Sequence, residues 1–383
     1  MKICPLGTKP CCYEYIMPWR KEWTCETRME NKASACVFSF GVISDIQHAD
    51  IENRLNYSQT CMRYYRNALA LLKEAVDHWM DGDTSAIRPD FVVQLGDVLD
   101  GFNSEGGKDE SLRILDVILN QFDRLPCTVH HLFGNHEFYN FSRVELMNSR
   151  LFSGAKFETT ARDSECECFP EDSLSAGKSR AGGLATYYHF SPAPGFRVVI
   201  LDSYSRSIIG HNDMCPIGQE SLRLVRSVNK NEILNSPLGL KVSEKRFVAF
   251  NGGLGEKQMA WLENVLEGAC LAKEKVILFG HIPIYPIHRD HTCLLWDYQE
   301  ALKLVRSSPC VVALFTGHTH SYAYTVDEMS GIHFLNFPGV VEIPPGGNGF
   351  GTIAVYGDRL VLHGVGHVDD VVMKFPEQSM YQD

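Results

Sequence analysis

The sequence predicts a layered α/β sandwich, and three observations carry that expectation. Apolar strands alternate with amphipathic helices over residues 37–133, the alternation resumes over residues 256–315, and consecutive strands close the chain. Such alternation builds sheets covered by helices, and the closing run supplies further strands. With 383 residues, 44% of them hydrophobic and 22% charged, the chain can bury a large core as one domain with insertions.

Residues 1–36 mix Pro, Cys, Trp and charge without a helical or strand period, so they read as a loosely ordered N-terminal extension to a single domain over 37–383. The domain opens with an apolar strand at 37–43. Over 61–79, Met62, Tyr65, Leu69, Leu72, Val76 and Trp79 recur at helical spacing up to the turn-rich Asp81-Gly82-Asp83. A strand at 91–95 runs into Gly96-Asp97. A second helix is expected at 111–122, with Leu112, Leu115, Leu119 and Phe122 on one face, before a strand at 128–133. Polar sequence at about 141–183 reads as an insertion, followed by a hairpin of 187–190 with 196–201 across Pro192-Ala193-Pro194-Gly195 and a second insertion at 203–247. Helix 256–266, strand 276–279, helix 296–305 and strand 311–315 follow. Strands at 322–326 and 332–337 and a hairpin over 352–363, turning at Gly357-Asp358, end the pattern.

The formal net charge of −11 excludes broad binding to nucleic acid or an anionic membrane, both of which need basic surfaces. An anionic substrate then needs locally placed positive charge, which bound metal supplies. The thirteen cysteines are odd in number, scattered, and often set in apolar runs such as Cys310-Val311-Val312, a pattern of reduced thiols. No apolar run matches a signal peptide or the roughly 18 residues of a membrane span. A cytoplasmic protein, acting as a monomer, is expected.

The informative feature is positional. Asp45, Asp97, Asn135, His281 and His318 each stand one to three residues after an apolar strand, where an α/β fold places its binding crevice. Singly, each reads as well as a turn residue, a helix cap or a surface histidine. Together they offer oxygen and imidazole donors for two divalent cations. Asp45, Gln47, Asp97 and His320 would hold one ion and Asp97, Asn135, His281 and His318 the other, with Asp97 as the bridge. In His318-Thr319-His320 the two imidazoles share one side of an extended segment and can serve adjacent ions.

The ordered blocks Asp45-Ile46-Gln47, Gly96-Asp97-Val98-Leu99-Asp100, Gly134-Asn135-His136-Glu137, Gly280-His281-Ile282-Pro283 and Gly317-His318-Thr319-His320 resemble the calcineurin-like metallophosphoesterase superfamily. That resemblance implies its four-layer α-β-β-α sandwich of two mixed sheets. Residues 134–143 together with Asn235-Ser236-Pro237, Phe250-Asn251-Gly252-Gly253 and Pro283-Ile284-Tyr285-Pro286 resemble, more narrowly, the manganese-dependent ADP-ribose/CDP-alcohol diphosphatases. The superfamily's usual first motif has His where this chain has Gln47. An amide oxygen is a harder donor, which favours Mn²⁺ or Mg²⁺ over Zn²⁺, although all three stay open.

The narrower resemblance implies cleavage of ADP-ribose to AMP and ribose 5-phosphate, and of CDP-choline or CDP-glycerol to CMP and the phosphoalcohol. By the superfamily motif, His136 would protonate or hydrogen-bond the leaving oxygen and Asp100 would orient His136. Tyr57, Phe138, Tyr139 and Tyr285 lie near the motifs and are candidates to stack a nucleobase, and the family suggests Cys293 as a further pocket residue. The competing readings are a cyclic-nucleotide phosphodiesterase, a phosphomonoesterase and a non-catalytic scaffold of the same fold.

Overall fold

The strand expected at the start of the domain is β1 (Phe38–Ile43) in the computed structural model, which describes residues 35–81, 87–152, 185–211 and 214–376. The extension up to residue 34 and most of the first expected insertion, residues 153–184, lie outside the described residues. A short hairpin, β2 (Arg54–Leu55) with β3 (Met62–Arg63), precedes α1 (Tyr65–Met80). The helical period seen from residue 61 therefore begins late: Met62 and Arg63 pair across the hairpin with Leu55 and Arg54.

Next come β4 (Phe91–Gln94), α2 (Lys108–Phe122), β5 (Thr128–His131), α3 (Asn135–Asn140) and α4 (Arg143–Asn148). In α2 the buried face is Ile114, Leu115, Ile118, Leu119 and Phe122, whereas Leu112 is exposed, a correction to the expected stripe. The helix also starts a turn early, at Lys108, where Asp109 and Glu110 complement its positive end. The hairpin partners are β6 (Tyr188–Phe190) and β7 (Phe196–Ile200). Within the second expected insertion lie β8 (Arg206–Ser207) and α5 (Pro216–Val228), with proline in the first turn, where its missing N–H costs nothing. Then follow β9 (Gly252–Gly253), α6 (Gly255–Leu271), β10 (Lys275–Phe279), α7 (Tyr298–Arg306), β11 (Val311–Thr316), β12 (Ala323–Val326) and β13 (His333–Asn336). The chain ends in β14 (Gly349–Val355), β15 (Arg359–Gly366) and an unanticipated edge strand, β16 (Val371–Lys374).

Two six-stranded mixed sheets result, in the orders β16-β15-β14-β1-β4-β5 and β12-β13-β11-β10-β7-β6. Strands β1, β4 and β5 run parallel in the first, and β7, β10, β11 and β13 in the second. Alternation along the strands sends phenylalanines inward from both sheets. Phe40 stacks on Phe91 at 5.4 Å and meets Phe279 and Phe315 edge-on at 5.5 and 5.8 Å. Each such ring buried contributes roughly 1.5–3 kcal/mol. The outer faces are covered by α1 and α2 on one sheet and α6 and α7 on the other. Gly41 shows how close that cover lies, because a Cβ there would sit 2.7 Å from the Trp79 ring. The architecture is the four-layer α-β-β-α sandwich.

Six described cysteines are free thiols, and Cys215 is disulfide-bonded, which corrects the all-thiol expectation.

Candidate metal centre

Each expected ligand lies just beyond the carboxyl end of a parallel strand: Asp45 and Gln47 after β1, Asp97 after β4, Asn135 after β5, His281 after β10, and His318 and His320 after β11. Five of them hold positive φ: Asp45 at 50°, Gln47 at 42°, Asp97 at 58°, His318 at 68° and His320 at 59°. Among the described residues only Gln59 and Lys273 otherwise do so without being glycine. Left-handed backbone costs a side-chain-bearing residue roughly 1–2 kcal/mol, and such strain concentrates where function needs it. Backbone bonds between loops hold it in place, from Asp45 N–H to Gly96 O (3.2 Å), Gln47 N–H to Asp97 O (2.8 Å) and Gly317 N–H to His281 O (3.0 Å). Gly317 must be glycine, since a Cβ there would collide with Ser44 Oγ and Asp45 Oδ2. Glu137, fully buried, clasps two of the loops by accepting N–H bonds from Gly134, Asp97 and Val98 at 2.6, 2.8 and 2.7 Å.

The side chains form two triads that share Asp97. In one, Asp97, His281 and His318 offer ligand atoms that all lie within 4.8 Å of one another; in the other, Asp45, Asp97 and His320 do the same. His281 Nε2 is 3.5 Å from Asp97 Oδ2 and 3.1 Å from His318 Nδ1, and His320 Nε2 is 3.3 Å from Asp45 Oδ1. The Gln47 amide belongs to the second triad, 2.9 Å from His320 Nε2 and 3.1 Å from Asp97 Oδ2. Asn135 is buried between two phenols: Tyr204 O–H donates to its Oδ1 at 3.2 Å, and its Nδ2 donates to Tyr139 at 3.3 Å.

The surroundings choose the tautomer of each imidazole. Nδ1 of His281 faces Leu95 O at 2.7 Å, and a carbonyl only accepts, so Nδ1 carries the hydrogen and Nε2 keeps its lone pair. Nε2 of His318 lies 2.8 Å from Asn251 Oδ1, whose orientation is set because Asn251 Nδ2 donates to the Arg246, Thr292 and Leu294 carbonyls; the free lone pair is on Nδ1. Nδ1 of His320 meets Glu342 Oε1 at 2.9 Å, again freeing Nε2. These are the partners that fix and strengthen metal-binding histidines. The three lone pairs point into the two triads.

This donor set fits two divalent cations. Asp45 Oδ1 and Gln47 Oε1 are buried without a hydrogen-bond donor, and half a rotation of the amide would bring Gln47 Oε1 to the position its nitrogen takes beside Asp97 and His320. Electrostatics give the same answer. Burial opposes charge on His281 and His320, yet Asp97 beside the first, and Asp45 and Glu342 beside the second, push both imidazoles up to about 9. Burial and the neighbouring His281 push His318 down to about 3. The carboxylates thus demand positive charge that protons supply when metal does not.

His136 stands beside the triads. Its backbone N–H donates to Asp97 Oδ1 at 2.8 Å, its Nδ1 lies 3.2 Å from Asp100 Oδ2, and Gly101 N–H donates to the same Nδ1 at 2.9 Å. Burial opposes its charge, but Asp97 and Asp100 raise its pKa above the ordinary value. Whether neutral with Gly101 bonded or positively charged, the ring keeps a hydrogen on Nε2.

The aromatic candidates scatter. Tyr57 is 80% exposed, near the turn of the β2–β3 hairpin, and Tyr139 is 36% exposed with its ring 5.2 Å from that of His136. Phe138 is buried against Phe133 and Tyr204. Tyr285 stacks on Phe334 at 4.4 Å and lines, with Tyr298, Leu302 and Arg306, a cavity of about 620 Å³ that none of the expected ligands lines. Cys293 is half-buried, and burial pushes its thiol up to about 12. Sequence reasoning gave no role to Glu342, Asn251, Tyr204 or Arg63. Glu342 carried a signal, a lone charge in the apolar run Val340-Val341-Glu342-Ile343, and Asn251 lies in the block Phe250-Asn251-Gly252-Gly253 that carries the narrower resemblance; Tyr204 and Arg63 carried none.

A family model described as calcineurin-like phosphoesterase matches residues 38–322. Relatives named manganese-dependent ADP-ribose/CDP-alcohol diphosphatase are 44% identical over 337 residues in Xenopus tropicalis (87% of this chain, 93% of the relative) and 39% identical over 349 residues in Homo sapiens (91% and 96%). A relative of the same name from Arabidopsis thaliana is 34% identical over 336 residues, covering 88% of this chain and 96% of its own. The crystal structure of a dimetal phosphatase from Danio rerio superposes with a TM-score of 0.78 at 38% identity, over 89% of this chain and 99% of that one. Two triads of side chains able to hold metal, sharing Asp97, agree with these likenesses, and the chain belongs to the calcineurin-like phosphoesterase family, among the relatives named manganese-dependent ADP-ribose/CDP-alcohol diphosphatases.

Proposed function

We propose that this chain is a Mn²⁺-dependent diphosphatase that hydrolyses ADP-ribose to AMP and ribose 5-phosphate, and CDP-alcohols such as CDP-choline and CDP-glycerol to CMP and the phosphoalcohol. The observation that carries the proposal is the pair of triads sharing Asp97, in a chain 34–44% identical to enzymes of that name.

Asp45, Gln47, Asp97 and His320 would hold one ion, and Asp97, Asn135, His281 and His318 the other. Two such ions supply an acidified water as nucleophile and neutralise charge on phosphoryl oxygens. The protein's part is to place that charge: the ligand set carries two carboxylates and otherwise neutral donors, so a local positive surplus sits within a protein of net charge −11. His136 Nε2–H hydrogen-bonds or protonates the oxygen that leaves as the anhydride P–O bond breaks. Asp100 and Gly101 hold the opposite edge of its ring. Tyr57, Tyr139 and Tyr285, none of them buried, are the candidates to stack the base, with Cys293 as a further pocket residue. Phe138 fits a core role better.

The same reading has residues 37–383 working as one catalytic domain, and the protein acting as a cytoplasmic monomer on small molecules, with no nucleic-acid or membrane partner. Its net charge supports the absence of a nucleic-acid or anionic-membrane partner, and none of the described helices is long and apolar enough to cross a membrane.

The test uses metal-stripped protein refilled with Mn²⁺, Mg²⁺ or Zn²⁺ and assayed on ADP-ribose, CDP-choline, 2′,3′-cyclic AMP and nitrophenyl phosphate. The expected result is Mn²⁺-dependent release of AMP and CMP above turnover of the other two. Turnover of only the cyclic nucleotide or the monoester would replace the substrate reading, and inactivity with every metal would favour the scaffold.

A further inference from the structure

We propose that Arg63 is a positioning residue that couples the two imidazoles on opposite sides of the centre, His136 and His320, by gripping the carboxylate behind each. This rests on the dimetal reading above. Arg63 Nε lies 3.4 Å from Glu342 Oε1, the same oxygen that faces His320 Nδ1 at 2.9 Å. Arg63 Nη1 lies 3.8 Å from Asp100 Oδ2, the same oxygen that faces His136 Nδ1 at 3.2 Å. One guanidinium thus stands behind both a metal-binding histidine and the proton donor.

The setting supports a structural brace. The Arg63 side chain is 20% exposed, and the carboxylates of Asp100 and Glu342 are 2% and 16% exposed, so the network is largely withdrawn from water, where ion pairs are screened least. A buried carboxylate that lost its cation would turn toward the next positive group, here a histidine or the metal, so the guanidinium keeps each carboxylate at its post. Glu342 sits in the short helical turn Val340–Glu342, which is tied to the ligand loops by bonds from Val341 N–H to Asp45 O (3.1 Å) and Gly339 N–H to His320 O (3.2 Å), and to the segment after the hairpin by Tyr64 N–H to Val341 O (2.6 Å).

The hairpin gives a second indication. Arg54 lies directly opposite Arg63, and like charges in that position repel. The pairing is tolerated because Arg63 is matched by two carboxylates, while Arg54 rests over the Phe102 ring at 4.7 Å. The two arginines therefore differ in kind: Arg63 has both its carboxylate contacts inside the network, and only Arg54 is exposed at the hairpin surface.

The experiment compares Arg63→Gln, Arg63→Lys and Glu342→Gln in the full chain, with Arg66→Gln as control, since Arg66 pairs only with exposed Asp50 and Glu52. Mn²⁺ affinity is read by electron paramagnetic resonance, separately from turnover. Arg63→Gln should weaken one of the two Mn²⁺ sites about tenfold and lower kcat at least about tenfold, with KM nearly unchanged. Lysine, a point charge without a fork, should restore these only in part. Glu342→Gln should weaken the same Mn²⁺ site, and adding it to Arg63→Gln should cost less than the two single losses together. A raised KM with kcat and Mn²⁺ affinity intact would overturn the proposal and make Arg63 a substrate-phosphate contact. Unchanged Mn²⁺ affinity in both single variants would overturn it as well. Because metal binding needs no substrate, a wrong substrate assignment would leave these outcomes readable. If the Arg63 variants fail to fold, Glu342→Gln alone decides: intact Mn²⁺ affinity there contradicts the brace.

Discussion

The two sides of Asp97 carry equal numbers of candidate ligands and different charge. On one side stand Asp45, Gln47 and His320, with Glu342 and Arg63 behind the imidazole. On the other stand Asn135, His281 and His318, which would all be neutral as ligands, with a backbone carbonyl and the Asn251 amide behind the two imidazoles. A carboxylate-rich pocket holds a hard divalent ion by charge, whereas a neutral pocket holds it by geometry and leaves more of its charge uncompensated. The first side should keep its ion more tightly, and the second should present the stronger positive field to a phosphoryl oxygen.

The largest effect expected is from breaking what the sides share. Asp97→Ala should abolish ordered binding of both ions and lower kcat by at least roughly 10³-fold, measured by metal content and AMP release. Next, stepwise chelation of the Mn²⁺ enzyme should remove one ion before the other, and His318→Ala should erase the easily lost step while Asp45→Ala erases the tightly held one; equal loss of both ions in either variant would break the asymmetry. Third, metal uptake should release protons. His281 and His320 hold theirs up to about pH 9 in the absence of metal, so between pH 6 and 8 Mn²⁺ affinity should rise with pH, by about tenfold per unit for each proton displaced. Calorimetry in buffers of different ionisation enthalpy counts those protons. The smallest effect belongs to Asn251→Ala, which removes the acceptor that sets the His318 tautomer and should weaken the neutral side's ion by about tenfold, with the other side unaffected.

The part of this centre legible in the sequence is the part that follows strands. Asp45, Asp97, Asn135, His281 and His318 stood out because an apolar run stops and a donor begins, and the parallel topology turns that punctuation into a shared crevice. The braces were less legible because they arrive by other routes, and Glu342 left only a lone charge in an apolar run. Arg63 lay in a stretch whose helical period hid a two-residue strand, Glu342 sits in a short turn beyond β13, and Tyr204 reaches Asn135 from 69 positions away. Periodicity also reports burial without direction, which is why Phe138 and Tyr285 resembled Tyr139 in sequence but pack elsewhere. The sandwich itself was readable from β/α alternation, while Leu112 and the edge strand β16 were not, since single apolar positions and short edge strands carry little pattern.

The most direct test of the central claim is a Mn²⁺ titration of the metal-stripped protein, followed by electron paramagnetic resonance. The expected result is two ions per chain with spin coupling between them through the Asp97 carboxylate, and loss of that coupling in Asp97→Ala. A single ion per chain, or two ions whose spectra are those of isolated Mn²⁺, would contradict it.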